Sequence, residues 1–328
     1  MRIGFVVAVV CLASACALEA PEDLSNEEIG GLAQPILNGV IGSQRGIVGL
    51  TFVPNNCGAS CNTPTCTGAI IADGIIMTAG HCLREAGWGS GGAADTLTGE
   101  VAITTLDPST NTHRCLTSSD ENIEGICNAR SAGDVVVATG VIHPRAIPNS
   151  AQFDIGIFRT GMSWTGFGVD HRFIVRMALS STRDGEVTTA LKQDDDFIAV
   201  GFGFSGRTLD PEGLKTDPDP VWVDEVTNSA ATGMVLRNNA DSVRMCRGDS
   251  GSPAFILSPG DVSISAGVLS TGSESLGSCS PEGTPQMWTM LQTSADFIQS
   301  TMRRFYTTCT TADLAIDSRV SVQVLECN

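Results

Sequence analysis

Between residues 36 and 291, apolar positions occur in short runs that are separated by glycine, proline, asparagine and aspartate. Short apolar runs with turn residues between them are typical of β-strands, so this pattern predicts an all-β domain. The Asp73-Gly74 pair lies between two such runs and is a strong hairpin signal. The predicted strands cover residues 68–72, 75–79, 135–142, 197–202, 252–257 and 262–270.

One helix is predicted after the last of these strands. Ile298, Met302 and Phe305 fall at helical spacing and would share one apolar face. Ser294 precedes them and is a residue type that commonly caps a helix N-terminus. The pattern therefore predicts a helix that begins near Ser294 and ends near Phe305.

The composition restricts the class of protein. The chain has 328 residues, of which 42% are hydrophobic and 17% charged, so a large buried core is expected and a disordered chain is not. The formal net charge is -17. An excess of negative charge argues against nucleic acid or an anionic membrane surface as a partner.

The N-terminus is typical of an export signal, with a positive charge followed by an apolar run at 3–15 that is too short to span a bilayer. Two cleavage positions fit this segment. Cleavage before Cys16 would leave a lipidated cysteine as the membrane attachment, whereas cleavage after Ala17 would release the protein. We therefore predict a signal peptide at 1–17, a tether or propeptide at 18–35, and a secreted protein or outer-surface lipoprotein.

Cysteine usage fits an exported protein. Twelve cysteines are present, and the ten that follow the signal region form an even set, which predicts disulfides. A zinc site would need clustered Cys and His ligands, and the sequence has no such cluster, so neither a metal nor a cofactor is predicted. Proximity along the chain suggests the pairs Cys57–Cys61, Cys115–Cys127 and Cys309–Cys327.

Three short motifs carry the candidate chemistry. They are Thr78-Ala79-Gly80-His81-Cys82, Phe153-Asp154-Ile155-Gly156, and Cys246-Arg247-Gly248-Asp249-Ser250-Gly251. A serine hydroxyl is a weak nucleophile that needs a base within hydrogen-bond reach. In these motifs, and in the order His, Asp, Ser, the sequence resembles the chymotrypsin/trypsin-like serine peptidases.

The resemblance implies a catalytic triad and an oxyanion hole. His81 would be the general base, Asp154 would orient His81, and Ser250 would be the nucleophile. The backbone N–H groups of Gly248 and Ser250 would stabilise the oxyanion. Asp134 is the alternative acid, because it also precedes an apolar run.

The resemblance also implies the architecture. Two packed antiparallel six-stranded β-barrels are expected, at 36–160 and 161–305, with a C-terminal helix and an extension at 306–328. The active site would lie between the barrels. Two disulfides of the family are matched, and they would be Cys66–Cys82 and Cys246–Cys279.

Activation in the family depends on a new N-terminus, and the resemblance implies that Ile36 would supply it. The ammonium group of Ile36 would pair with Asp249 and order the oxyanion loop, as in a zymogen. Pro35 is a departure, because few peptidases cut a Pro-Ile bond. An activating peptidase is therefore expected as a partner.

The primary specificity pocket is expected to involve Arg244, Ser270, Gly272 and Gln286. An arginine at the base of the pocket would reject basic side chains and pair with a glutamate or aspartate of the substrate. Ser252 is a second departure, because the family usually has glycine at this position. The sequence thus predicts cleavage after acidic residues.

The predicted function is peptide-bond hydrolysis by a serine endopeptidase acting on protein or peptide substrates. The alternatives are a catalytically silent binding protein with the same fold, an exported esterase, and a precursor that stays inactive because of Pro35. Of the other histidines, His143 is expected at a strand end, and His113 and His171 in loops.

Overall fold

The computed structural model describes most of the chain from residue 40 onward. The described residues are 40–41, 46–53, 65–90, 96–107, 112–118, 127, 133–148, 150–164, 174–181, 196–203, 215–216, 221–222, 225–229, 233–238, 245–256, 264–271, 286–305, 309–315 and 321–327. The predicted signal peptide and tether lie outside these ranges. Outside them too are Ile36, Arg244, Gly272 and Cys279.

The apolar runs form strands in two sheets within one compact unit that covers residues 33–328. The strands of the first sheet are β2 (Ile47–Val53), β3 (Thr65–Ala72), β4 (Ile75–Thr78), β5 (Gly89–Ser90), β6 (Leu97–Asp107), β7 (Thr112–Cys115), β8 (Val136–Ile142) and β9 (Gly156–Thr160). The strands of the second sheet are β1 (Val40–Ile41), β10 (Arg176–Ser181), β11 (Asp196–Gly201), β12 (Lys215–Thr216), β13 (Val221–Trp222), β14 (Glu225–Ser229), β15 (Gly233–Asn238), β16 (Pro253–Ile256), β17 (Ile264–Thr271), β18 (Gln286–Met290), β19 (Cys309–Ala315) and β20 (Ser321–Cys327). The helices are α1 (Gly80–Glu85), a 3₁₀ turn (Gln292–Ser294) and α2 (Ala295–Phe305).

Six of the eight strands of the first sheet form a closed antiparallel barrel. Its strands follow the order β2-β3-β4-β9-β8-β6, and β6 pairs again with β2 to close it. The predicted hairpin at Asp73-Gly74 joins β3 to β4. Phe52, Trp88 and Phe158 fill the interior in edge-to-face contacts, with ring centroids 5.6 to 6.3 Å apart.

The second sheet contains six consecutive antiparallel strands in the order β11-β16-β17-β18-β15-β14. Strand β10 adds to β17 in parallel, and the hairpin β19–β20 adds to β10. The all-β fold class, with its antiparallel sheets and C-terminal helix, is therefore confirmed.

The predicted C-terminal extension contains strands β19 and β20. It forms a β-hairpin in which the Cα of Cys309 pairs with that of Cys327. Val322 and Val324 on β20 are fully buried. This segment is therefore part of the second sheet and its core.

The start of helix α2 differs from the start predicted from the sequence. Helix α2 begins at Ala295, and Ser294 belongs to the preceding 3₁₀ turn. The Ser294 hydroxyl is buried and makes no hydrogen bond within the described part of the chain, so the predicted cap is wrong. No helix of the described residues is long and apolar enough to cross a membrane.

Candidate active site

His81 lies at the point where strand β4 of the first barrel becomes helix α1. Ala79 keeps an extended backbone, and the helix begins at Gly80. The next residue, Cys82, forms a disulfide with Cys66 on β3. The strand and the disulfide together fix the backbone on which the imidazole is carried.

Asp154 meets His81 in two hydrogen bonds. The His81 Nδ1 atom lies 2.6 Å from Asp154 Oδ2, and the His81 backbone N–H donates to Oδ1 over 2.8 Å. Ser270 on β17 supplies a third bond, from its hydroxyl to Oδ2 over 2.7 Å. The Asp154 side chain is 2% exposed, so these bonds replace its hydration.

The charge state of His81 follows from this pairing. Burial by itself lowers the pKa of His81, but the hydrogen bond to Asp154 and the charge of that carboxylate raise it by more. The pKa of His81 is therefore raised above its ordinary value. The 19% of the His81 side chain that is exposed leaves the ring accessible to a reacting group.

Asp134, the alternative acid, does not occupy this position. Its backbone carbonyl accepts a hydrogen bond from Thr117 Oγ1 over 2.5 Å, before strand β8. The structure thus brings Asp154, and not Asp134, to His81.

Ser250 lies in a loop at 245–252, which is called the serine loop. Strand β16 follows it and begins at Pro253. The Thr67 N–H donates to the Ser250 carbonyl over 2.8 Å, and the Thr67 hydroxyl donates to the Gly248 carbonyl over 3.0 Å. The Cys82 sulfur lies 3.8 Å from the Ser250 carbonyl oxygen and 3.9 Å from His81 Nε2. The serine loop therefore lies against strand β3, which pairs with the strand that precedes His81, and against the Cys66–Cys82 disulfide.

Two glycines set the conformation of the serine loop. Gly248 and Gly251 have φ values of 96° and 92°, which side chains rarely tolerate. A Cβ on Gly251 would lie 2.1 Å from the carbonyl oxygen of Thr67. The backbone N–H groups of Gly248 and Ser250 have no hydrogen-bond partner among the described residues, so two donors are available at this turn.

Asp249 is a residue of the serine loop and is fully buried. Its carboxylate accepts backbone hydrogen bonds from Gly203 and Cys246, each 2.7 Å long. Burial raises the pKa of Asp249 to about 8, and the two backbone bonds oppose the shift only in part. Within the described ranges no cation pairs with it.

The predicted pocket residues are only partly described. Gln286 is buried, and its side-chain oxygen accepts a hydrogen bond from the Met245 N–H over 3.2 Å. This contact places Gln286 beside the segment that leads from Arg244 into the serine loop. Ser270 was predicted at the pocket, and its contact with Asp154 was missed. The residues around Ser270 in the sequence do not indicate that its hydroxyl faces the Asp154 carboxylate.

Among the described residues at this site, the Cys66–Cys82 disulfide leaves no set of side chains that could bind a metal. Cys66, His81 and Cys82 have ligand atoms within 4.8 Å of one another, but both sulfurs are used in the disulfide. The structure also joins Cys115 to Cys127, and Cys246 and Cys309 are disulfide-bonded.

A closed antiparallel barrel that holds a His–Asp pair beside a serine loop defines the chymotrypsin-like class. In agreement, a family model for trypsin matches residues 47–298. The chain belongs to the trypsin family of serine-type hydrolases. A search of the curated proteins finds no match.

Two solved structures are similar to this chain, and the first of them shows the same fold. The chain is similar to HL collagenase at 16% identity with a TM-score of 0.51, over 81% of this chain and 98% of that one. It is also similar to the scabies mite inactivated protease paralogue S-I1 at 16% identity with a TM-score of 0.49, over 81% of this chain and 99% of that one.

Proposed function

We propose that this protein is a serine endopeptidase in which Ser250 is the nucleophile, His81 the general base and Asp154 the residue that orients the base. The observation that supports this assignment best is the His81–Asp154 pair, whose 2.6 Å bond is buried next to the serine loop. Family membership makes peptide bonds the expected substrates.

The proposed reaction starts with proton transfer within the site. Because Asp154 accepts from Nδ1–H, the free Nε2 atom of His81 takes the proton from the Ser250 hydroxyl. The Ser250 oxygen then bonds to the substrate carbonyl carbon, and the carbonyl oxygen becomes an oxyanion. His81 passes its proton to the leaving amine, the C–N bond breaks, and an acyl-enzyme forms, which water hydrolyses by the same steps.

The oxyanion would bind at the two available backbone donors. The Gly248 and Ser250 N–H groups belong to the serine loop, whose conformation depends on the positive φ of Gly248 and on the bond from the Thr67 hydroxyl to the Gly248 carbonyl. One donor of this kind is typically worth about 3 kcal/mol in the transition state.

Substrate preference is proposed to be acidic at the residue before the cut bond. The basis is Arg244 in the sequence, six residues before Ser250, together with Gln286 beside the adjoining Met245. Cleavage of a peptide library tests this proposal. Glutamate or aspartate should be enriched before the cut, and best cleavage after lysine or arginine would reject it.

Export and activation complete the proposal. The signal segment would send the chain out of the cytoplasm, as its disulfides also suggest, with or without a lipid on Cys16. An activating peptidase would then cut before Ile36, whose ammonium would pair with Asp249. N-terminal sequencing and mass measurement of the exported protein test both steps.

Labelling with a fluorophosphonate probe tests the nucleophile. The exported protein beginning at Ile36 should be labelled at Ser250, and the label should be lost in Ser250→Ala and in His81→Ala. Ser300→Ala, which removes an exposed hydroxyl on helix α2, is the matched control and should be labelled normally. An unlabelled protein with this N-terminus would favour the catalytically silent binding protein instead.

A comparison of substrates separates the peptidase from the esterase. Rates on small esters and on matched peptides should both be measured on the labelled preparation. Hydrolysis of esters without any cleavage of peptides would reject the peptidase assignment and leave Ser250 as the nucleophile of an esterase.

A further inference from the structure

Phe153, the residue before Asp154, has an unusual backbone conformation. Its φ is 56°, and it is the only non-glycine residue with a positive φ in the described part of the chain. Bulky side chains rarely adopt this left-handed conformation, because Cβ crowds the following carbonyl oxygen. An observed outlier of this kind persists only where its surroundings hold it.

The strained residue belongs to a tight turn centred on Asp154. The Ile155 N–H donates to the Phe153 carbonyl over 2.8 Å, which closes a three-residue turn. Asp154 therefore leaves the backbone from the middle of this turn. The direction of its carboxylate depends on the conformations of both neighbours.

Four side chains hold the turn, and together they are called the aromatic clamp: His143, Arg145, Phe153 and Phe297. The His143 ring stacks on the Phe153 ring with centroids 4.8 Å apart and planes 20° apart. The Arg145 guanidinium carbon lies 4.1 Å from the centroid of Phe153. Phe297 of helix α2 packs on His143 with centroids 4.7 Å apart.

His143 holds both neighbours of Asp154 at once. Its ring stacks on Phe153, and its backbone N–H donates to the Ile155 carbonyl over 2.9 Å. Burial and the nearby Arg145 lower the pKa of His143 to about 4, so the ring stacks as a neutral imidazole in neutral solution. His143 itself makes no hydrogen bond to His81 or Asp154.

We propose that the aromatic clamp, through His143 and Phe153, sets the direction in which Asp154 points at His81, so that both are positioning residues. The inference rests on the proposed function, since it gives Asp154 its role in orienting His81. It goes further, because it assigns a task to two residues outside the triad. The geometry explains the need: Asp154 must meet two groups of His81 and the Ser270 hydroxyl together, at 2.6 to 2.8 Å.

The test compares His143→Ala, which removes the stacked ring, with His143→Phe, which keeps one. Val324→Ala removes buried volume in the second sheet and serves as a control for simple loss of stability. Rates are expressed per labelled Ser250, so that unfolded protein does not count. A small misplacement of a catalytic group is costly, so kcat in His143→Ala should fall by about ten- to a hundred-fold while KM stays unchanged.

The pH profile provides the readout that packing alone would not move. Asp154 raises the pKa of His81, so a poorly aimed Asp154 should shift the acid limb of kcat/KM to lower pH in His143→Ala. His143→Phe should restore both kcat and the acid limb. If His143→Ala only lowers thermal stability, as Val324→Ala does, and leaves kcat and the acid limb unchanged, the positioning role is rejected.

A proton NMR measurement tests the clamp without any turnover. The Nδ1–H of His81 in its short bond to Asp154 should give a resolved downfield signal, identified by its loss in His81→Ala. That signal should move or disappear in His143→Ala and persist in Val324→Ala. An unchanged signal in His143→Ala overturns the clamp, whereas absence of labelling in the wild-type protein overturns the proposed function; the two failures are thus distinguished.

Discussion

The His81–Asp154 pair and the serine loop lie side by side but are held by different kinds of contact. His81 and Asp154 are joined by side-chain chemistry, with a third hydroxyl from Ser270. The serine loop is held by backbone hydrogen bonds, by positive-φ glycines and by Thr67 beneath it. One half of the site is thus sensitive to the chemical type of its side chains, and the other to backbone shape.

The two halves also differ in electrostatics. Asp154 accepts three hydrogen bonds and lies next to a histidine that is ready to take a positive charge. Asp249 is equally buried, but backbone N–H groups are its bonding partners and its pKa is raised to about 8. The Asp154 carboxylate thus faces a side chain that can carry a positive charge, whereas the bonds described for the Asp249 carboxylate come from backbone N–H groups.

The largest effect is expected from Asp154→Asn. The amide would offer a donor to His81 Nδ1, so the ring would carry its proton on Nε2 and could not act as a base. By analogy with the triad mechanism, kcat should fall about 10⁴-fold with the fold preserved. Steady-state kinetics and a thermal melt measure both quantities, and full activity in Asp154→Asn would show that Asp154 does not orient His81.

Gly251→Ala should damage the serine half through the backbone. The new Cβ would meet the Thr67 carbonyl oxygen and Thr78 Oγ1, at a φ that alanine disfavours. Overpacking of this kind costs about 1–3 kcal/mol, and the strained φ adds to the cost. Gly161→Ala is the matched control, since a Cβ at this position would meet no atom of the described residues within 4 Å. Equal melting temperatures for the two variants would contradict the prediction.

Thr67→Val should weaken the contact between the serine loop and the first barrel. The Thr67 hydroxyl donates to the Gly248 carbonyl and accepts from the Phe202 N–H over 2.8 Å, and both bonds would be lost. Buried polar groups left without partners cost about 1–3 kcal/mol in the free energy of unfolding. Denaturant titration should show this loss in Thr67→Val and little of it in Thr67→Ser, which keeps the hydroxyl.

Counted per pH unit, the smallest change in stability is expected from the titration of Asp249. Its pKa rises from an ordinary 3.8 to about 8 on folding, so between these values the folded chain binds a proton that the unfolded chain releases. Stability from this group is present below pH 3.8 and is lost as the pH rises through about 8, at no more than about 1.4 kcal/mol per pH unit. Unfolding titrations of the uncleaved chain at pH 6, 7 and 8 measure this decline.

Two further proteins, measured in the same way, test whether this pH dependence comes from Asp249. Asp249→Asn removes the titrating group, so the slope from this residue should vanish. Between pH 6 and 7, the chain beginning at Ile36 should also lose the slope, because a paired ammonium would keep Asp249 ionised. A cleaved chain with the same slope as the uncleaved one would contradict the proposed activation.

Three strands of the first barrel, β3, β4 and β8, were predicted from the sequence because their signals are local. The Asp73-Gly74 turn and the apolar runs on either side of it specify a hairpin without reference to the rest of the chain. The C-terminal hairpin was missed although Val322 and Val324 alternate with polar residues on β20. The prediction for this segment used its two cysteines, Cys309 and Cys327, and did not use that alternation.

Contacts between residues far apart in the sequence could not be predicted, and the reason is physical. Ser270 meets Asp154 across 116 positions, and no local pattern encodes the direction of one hydroxyl. In the sequence, Phe153 is an ordinary apolar residue. Its left-handed backbone occurs where its ring stacks on that of His143, a contact between segments that no local pattern indicates. His143 was expected only at a strand end, which is where its backbone lies.

The C-terminal hairpin has a consequence for the order in which the molecule is made. Strand β10 contacts β17 through two register pairs, and its other edge is covered by β20, whose residues 321–327 are synthesised long after Ser250. Until β20 arrives, β10 is an open strand edge, the kind of surface that invites mispairing. The second sheet therefore cannot be completed during early synthesis, and a chain that is exported while still growing would complete it only on the far side of the membrane.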